Sequence, residues 1–175
     1  MTITAPEMTE SDHADNPTIT VRSVDQQDNS IILPQAFAIA VPDTAEADNV
    51  ISIAAPQATM IARHASGRPW LMVRMPQAYV TASTAPGTRI VAVGTCSASV
   101  EDLNRIARRG ASLSETAAEV MRFDGSFTVY ALRDATILAC GPALQTHRVF
   151  HARIFGTTIV SDRADTLAAL GRLPL

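Results

Sequence analysis

Lysine is absent from this 175-residue chain: all 14 basic residues are arginine. The arginines are scattered, so no cluster of phosphate-binding cations is laid out, and the bias reads as the codon usage of a GC-rich genome. The single adjacent pair, Arg108-Arg109, reads as the decoration of a helix end. Cysteine is almost as scarce. Cys96 and Cys140 lie far apart, form no C-x-x-C and follow no secretory signal, which points to a reduced, cytoplasmic protein. Long apolar runs are missing too: the longest, residues 31–41, is interrupted by Pro34 and Gln35 and falls short of the ~20 residues a bilayer span requires. The first residues have neither a basic region nor an apolar stretch of the signal-peptide kind. A net charge of −3 is too small to predict a nucleic-acid or membrane partner.

What is present is an ordinary globular composition, 47% hydrophobic and 18% charged, long enough for one core. Residues 1–16 hold Glu7, Glu10, Asp12 and Asp15 and no arginine, and read as a disordered acidic tail ahead of a domain at 17–175. Alternation predicts short strands at 18–24 and 31–41. A polar turn is expected at 43–49, a strand at 50–53, and a short amphipathic helix at 57–64 ended by Ser66-Gly67-Arg68-Pro69. Residues 70–74, 78–83 and 88–94 then read as three antiparallel strands. The third is apolar or small on both faces, which requires a central, doubly covered position.

Ser99, with Asp102 three residues on, predicts a capped helix whose inner face holds Leu103, Ile106 and Ala107 and which Gly110 ends. A second helix starts at Ser112 or Ser114, with Leu113, Ala117, Val120 and Met121 inward. Hairpins follow at 125–140, turning on Asp134-Ala135, and at 148–160, turning on Phe155-Gly156. Asp162 is expected to cap a final helix holding Leu167 and Leu170. Hairpins, a helix pair and more hairpins make an α+β chain with antiparallel sheets.

Asp124-Gly125-Ser126-Phe127, Arg148-Val149-Phe150 and Ser161-Asp162 occur in an order that resembles the end of the N-terminal, glutaminase-like domain of asparagine synthetases. Residues 66–70 (Ser-Gly-Arg-Pro-Trp) and 148–153 (Arg-Val-Phe-His-Ala-Arg) are more closely similar to the asparagine synthetase-like cyclases that close the ring of lasso peptides, and the likeness covers about residues 66–170. The resemblance implies an Ntn-hydrolase-like αββα sandwich, two antiparallel sheets flanked by helices, of the class II glutamine amidotransferase type. It also implies partners: an ATP-dependent synthetase domain, in the same chain or another, the lasso precursor peptide, and the pathway's leader-recognition protein and leader peptidase. In such an enzyme ATP and Mg²⁺ activate a precursor Asp or Glu side chain as an acyl-adenylate, and the peptide's N-terminal amine attacks to give a macrolactam.

Two family features are missing. The glutaminase uses an N-terminal Cys whose own α-amine is the base, whereas here Thr2 follows Met1, and of an Asn-Gly-Glu segment only Gly94 of Val93-Gly94-Thr95-Cys96 remains. The Ser-Gly-Gly-x-Asp-Ser type of adenylate-binding loop has no counterpart, so no cofactor site is expected in this chain; ATP and Mg²⁺ belong to the synthetase half. The chain is therefore expected to be a fragment, a separately encoded N-terminal domain or a degenerate remnant.

No catalytic residue is expected. Thr2 sits in the acidic tail, without the positioning a nucleophile requires, and neither Cys96 nor Cys140 adjoins a base. His147 and His151 have i,i+4 spacing, but on a strand and without a third ligand they do not make a metal site. Arg148, Phe150, His151 and Arg153 are candidates for the face toward the synthetase half, and Arg68 is an interface candidate; Trp70 reads first as a core anchor, with the domain interface or a peptide channel as the alternative. Two readings from other classes stand beside this one: an active glutaminase with Thr2 or an internal Cys as nucleophile, and a non-enzymatic interaction module.

Overall fold

The computed structural model describes residues 31–142 and 148–172. The expected acidic tail, the strand at 18–24, Thr2 and His147 lie outside the described residues. The chain is α+β, with two antiparallel sheets.

One sheet has five strands: β1 (Phe37–Ala40), β2 (Thr59–Arg63), β3 (Pro69–Arg74), β8 (Phe150–Ile154) and β9 (Thr157–Ser161), in the order β2-β3-β1-β9-β8. The other has four, β4 (Val80–Ala82), β5 (Arg89–Cys96), β6 (Gly125–Arg133) and β7 (Thr136–Cys140), in sequence order. Alternation along the strands builds three apolar layers. Ala38, Ala40, Leu71 and Val73 of the first sheet meet Val91, Val93, Tyr130 and Leu132 of the second, so the sheets pack face to face. On the outer side of the five-stranded sheet, Phe37, Ile39 and Ile159 hold α1 (Ala47–Ala54) through Val50 and α4 (Ala164–Leu170) through Leu167 and Leu170. On the outer side of the other sheet, Ile90, Ala92, Phe127 and Val129 hold α2 (Val100–Arg109) through Leu103 and Ile106 and α3 (Leu113–Val120) through Ala117 and Val120.

Much of this follows from local sequence. Ser99 Oγ accepts from the Asp102 N–H (3.1 Å) while Asp102 Oδ2 accepts from the Ser99 N–H (3.1 Å), the reciprocal cap that starts α2. Ser112 Oγ caps α3 by accepting from the Glu115 N–H (3.1 Å). The β6–β7 hairpin turns on Asp134 and Ala135, both at positive φ, as a two-residue turn with the twist of its strands requires. β5 is central, covered on one face by Val91 and Val93 contacts and on the other by Ile90 and Ala92 contacts. At the far end of β6, Arg133 donates to the Thr88 hydroxyl (2.6 Å) and to the carbonyls of Gly110 (2.5 Å) and Ala111 (2.8 Å), tying the link between α2 and α3 to the sheet.

Five expectations are corrected. Residues 50–53 are helical, not extended: Ala47, Val50 and Ala54 are buried at i, i+3 and i+7, and that spacing outweighs the β-branched run Val50-Ile51 with Ile53. Residues 57–64 are not a helix. They contain β2, which pairs with β3 through a bulge between Met60 and Ala62. The expected strand at 31–41 contracts to β1, because Gln57 captures the preceding segment: its Oε1 accepts from the Leu33 N–H (3.0 Å) and its Nε2 donates to the Ile31 carbonyl (2.7 Å). The strand at 70–74 does not join the next two in one sheet. Apolar on both faces, it lies between β1 and β2 instead, while a 3-10 turn at Gln77–Tyr79 precedes β4 in the other sheet. Asp162 does not occupy the cap position of α4; Arg163 does, and its side chain makes no capping bond. The pairing of β1 with β9 ends at Ser161, and Asp162 Oδ1 there accepts from the Ala38 N–H (2.7 Å).

Candidate functional site

The two thiols are poor nucleophiles. Cys96 and Cys140 are half-buried against the layer beneath α2 and α3, and burial pushes both thiols above their ordinary value of 9.0. Gly94 has a structural reason to be glycine. Its φ is +124°, and a Cβ there would meet the Ser126 carbonyl at 2.4 Å and Phe127 Cα at 2.8 Å. Gly125, across the same ladder, is pinched against the Thr95 carbonyl, so the end of the β5–β6 pair requires a bare backbone on both strands.

The interface candidates do not form one surface. Trp70 is fully buried between the sheets, and its Nε1 has no hydrogen-bond partner among the described residues. It is a core anchor. The Tyr130 hydroxyl shares that layer: burial raises it well above its ordinary value and the Asp162 charge adds to the rise, while the Asp162 backbone N–H opposes it. Arg68 is engaged at the end of the β2–β3 hairpin, with Nε donating to Asp48 Oδ1 (3.0 Å) and Nη1 to Asp43 Oδ1 (3.4 Å). Asp43 also accepts from Ser66 Oγ (2.7 Å), and the Ser66 bond, then Arg68, holds its carboxyl below the ordinary range. These exposed pairs stabilise little and serve to dock the hairpin on the start of α1. Beneath them His64, 4% exposed, donates from Nε2 to the Val41 carbonyl (2.9 Å), a buried contact that the sequence did not single out.

The remaining four candidates gather at β8. Phe150, Ala152 and Ile154 pack under α4 on the helix side, and His151 and Arg153 alternate to the opposite face, where both are exposed. That face is the one β1, β3 and β9 use to meet the second sheet, yet no residue of β8 joins the layer between the sheets. β8 therefore overhangs as a ledge at the end of its sheet, its outer edge unpaired among the described residues. Arg148 is exposed just ahead of it. Neither Arg148 nor Arg153 has a carboxylate partner among the described residues; Arg153 Nε reaches only the Gly156 carbonyl (3.2 Å) in its own hairpin.

At the opposite side of the sandwich β2, at the edge of one sheet, faces Ala82 at the end of β4 and the 83–86 segment that follows it, at the edge of the other, across a cleft of about 660 Å³. Met60, Ile61, Ala82 and Val91 contribute its apolar walls, and Arg63 and Arg89 are its charged groups. Arg89 Nη1 donates to the Arg63 carbonyl, a link from one sheet to the other, and Arg63 Nη1 donates to the Gly67 carbonyl (2.5 Å). Sequence reasoning missed this cleft, since its two walls are brought together only by the stacking of the sheets. Among the described residues no three His, Cys, Asp or Glu side chains come together as a metal-binding group, and no helix is long and apolar enough to cross a membrane.

A scan against protein-family models gave no match to the chain, and searches of curated proteins and of solved structures gave none either.

Proposed function

We propose that this chain is the N-terminal, glutaminase-inactive domain of an asparagine synthetase-like lasso peptide cyclase, with an Ntn-hydrolase-like αββα fold. Its role is that of a scaffold that docks an ATP-dependent synthetase domain and helps to position the precursor peptide. The observation that carries the reading is the β8 ledge: a sheet face continuous with a packed core which, among the described residues, has no covering layer, and which bears His151 and Arg153 with Arg148 beside it and no described carboxylate to neutralise the arginines. Arginine beside half-buried apolar side chains is the composition of an interface that gains energy when covered. The two sheets packed face to face with helices on their outer sides support the fold assignment. The raised Cys96 and Cys140 thiols and the packing demand at Gly94 support the absence of glutaminase chemistry.

The test is association with a separately supplied synthetase domain of a lasso cyclase, followed by calorimetry. A variant carrying R148A, H151A and R153A is expected to bind about tenfold or more weakly, a loss of ~1.4 kcal/mol or more. Unchanged affinity removes the proposal. Ammonia release from glutamine by the purified chain, abolished on changing Thr2 or Cys96, would replace it with an active glutaminase.

A further inference from the structure

We propose that the cleft between β2 and β4 binds an extended peptide segment bearing acidic side chains, which adds to the free edge of β4. The inference does not rest on the cyclase reading, because it uses only the edges, walls and charges of the cleft. Among the described residues β4 pairs with β5 on one side alone, so the main-chain donors and acceptors on the other side of Val80–Ala82, the last of which lines the cleft, have no ladder partner there. β2 faces it as the corresponding edge of the other sheet, but its bulge between Met60 and Ala62 breaks the regular spacing that pairing requires, which leaves β4 as the edge a peptide can extend.

The charge in the cleft has one sign. Among the described residues no Asp or Glu lines it, and neither Arg63 nor Arg89 has a carboxylate partner. Main-chain carbonyls hold both guanidiniums in place: Arg89 on Arg63, and Arg63 on Gly67. Each guanidinium carries five N–H donors, so each keeps several for a forked contact with a carboxylate. An edge protected only against aggregation would need its charge and its bulge alone. This edge also has a walled volume of about 660 Å³, with Met60 38% exposed at its rim, enough for alternate side chains of an inserted strand. An apolar wall, a free strand edge and two oriented cations together select a peptide with alternating apolar and acidic residues.

The test is fluorescence anisotropy of the full chain with three labelled octapeptides: one alternating Val with Glu, one alternating Val with Lys, and the first with alternate amides N-methylated. The expected result is saturable binding of the Glu peptide, about tenfold or more weaker for the Lys peptide and for the N-methylated one. R89S and R63S should each weaken the Glu peptide and should not weaken the Lys peptide. If R89S fails to fold, as judged by its melting curve, R63S and the two altered peptides still decide the matter. Equal affinity for the Glu and Lys peptides, indifference to N-methylation, or no saturable binding at millimolar concentration would overturn the proposal.

Discussion

Replacing Gly94 with alanine tests a close main-chain approach between two paired strands. At φ +124° an L-residue is strained, at a cost of about 1–3 kcal/mol. The new Cβ would also lie 2.4 Å from the Ser126 carbonyl and 2.8 Å from Phe127 Cα, both main-chain atoms of a paired strand that cannot turn aside as a side chain would. Forcing the strands apart adds about 1–3 kcal/mol of overpacking. The sum, about 4 kcal/mol, is a large part of the ~5–15 kcal/mol that holds a domain together. For a chain of this size each kcal/mol moves the melting temperature by about 2–4 °C, so G94A should melt about 8–16 °C below the parent in a circular dichroism scan. G87A is the internal control: Gly87 also has positive φ, +84°, but nothing lies within 4 Å of its added Cβ. It should show the strain without the collision, roughly half the loss or less. Equal melting of G94A and the parent, or of G94A and G87A, would refute the close approach of β5 to β6 at this point, and the glycine would then need another explanation.

Acid should weaken the fold in a defined window. Asp102 is held below its ordinary 3.8 chiefly by the Ser99 N–H, Asp165 by the Arg163 side chain, and Asp43 by the Ser66 hydroxyl. A carboxyl with a lowered native pKa lets the unfolded chain bind more protons, so its stabilisation is present above about pH 4 and is lost as the pH falls through the native values. Urea midpoints measured from pH 6 to pH 2.5 should therefore fall below about pH 4, and D102N should flatten part of that fall; an unchanged slope would contradict the cap geometry. The native thiols should react with an aromatic disulfide at pH 8 about fivefold or more slowly than free cysteine, because burial raises both pKa values. A rate above that of free cysteine would point to an activated nucleophile.

The chain spells out its local elements and conceals its long-range ones. Ser99 and Asp102 announce α2, and Asp134-Ala135 the turn of the β6–β7 hairpin, because each signal spans only a few residues. Residues 50–64 mislead for the same reason: Val50, Ile51 and Ile53 favour a strand locally, and only packing on Phe37 and Ile39 makes them a helix, while β2 is a strand through its pairing with β3. Asp162 carries the composition of a cap, yet the bond it makes is to Ala38, 124 positions away. The candidate surfaces divide likewise. The exposed arginines of β8 are visible as residues, but that β8 overhangs, and that β2 and β4 are neighbouring edges, depends on strand order, which no short window encodes.

The Arg133 clip has a mechanical consequence. One planar group grips the Thr88 hydroxyl at the start of β5 and two consecutive carbonyls between α2 and α3, so three segments share a single rivet. Neither helix can peel from the sheet alone without breaking the contact that secures the other, and this half of the domain should open and close as one cooperative block. An ammonium in its place, a point charge without the rigid fork, could not span the same three acceptors in one plane.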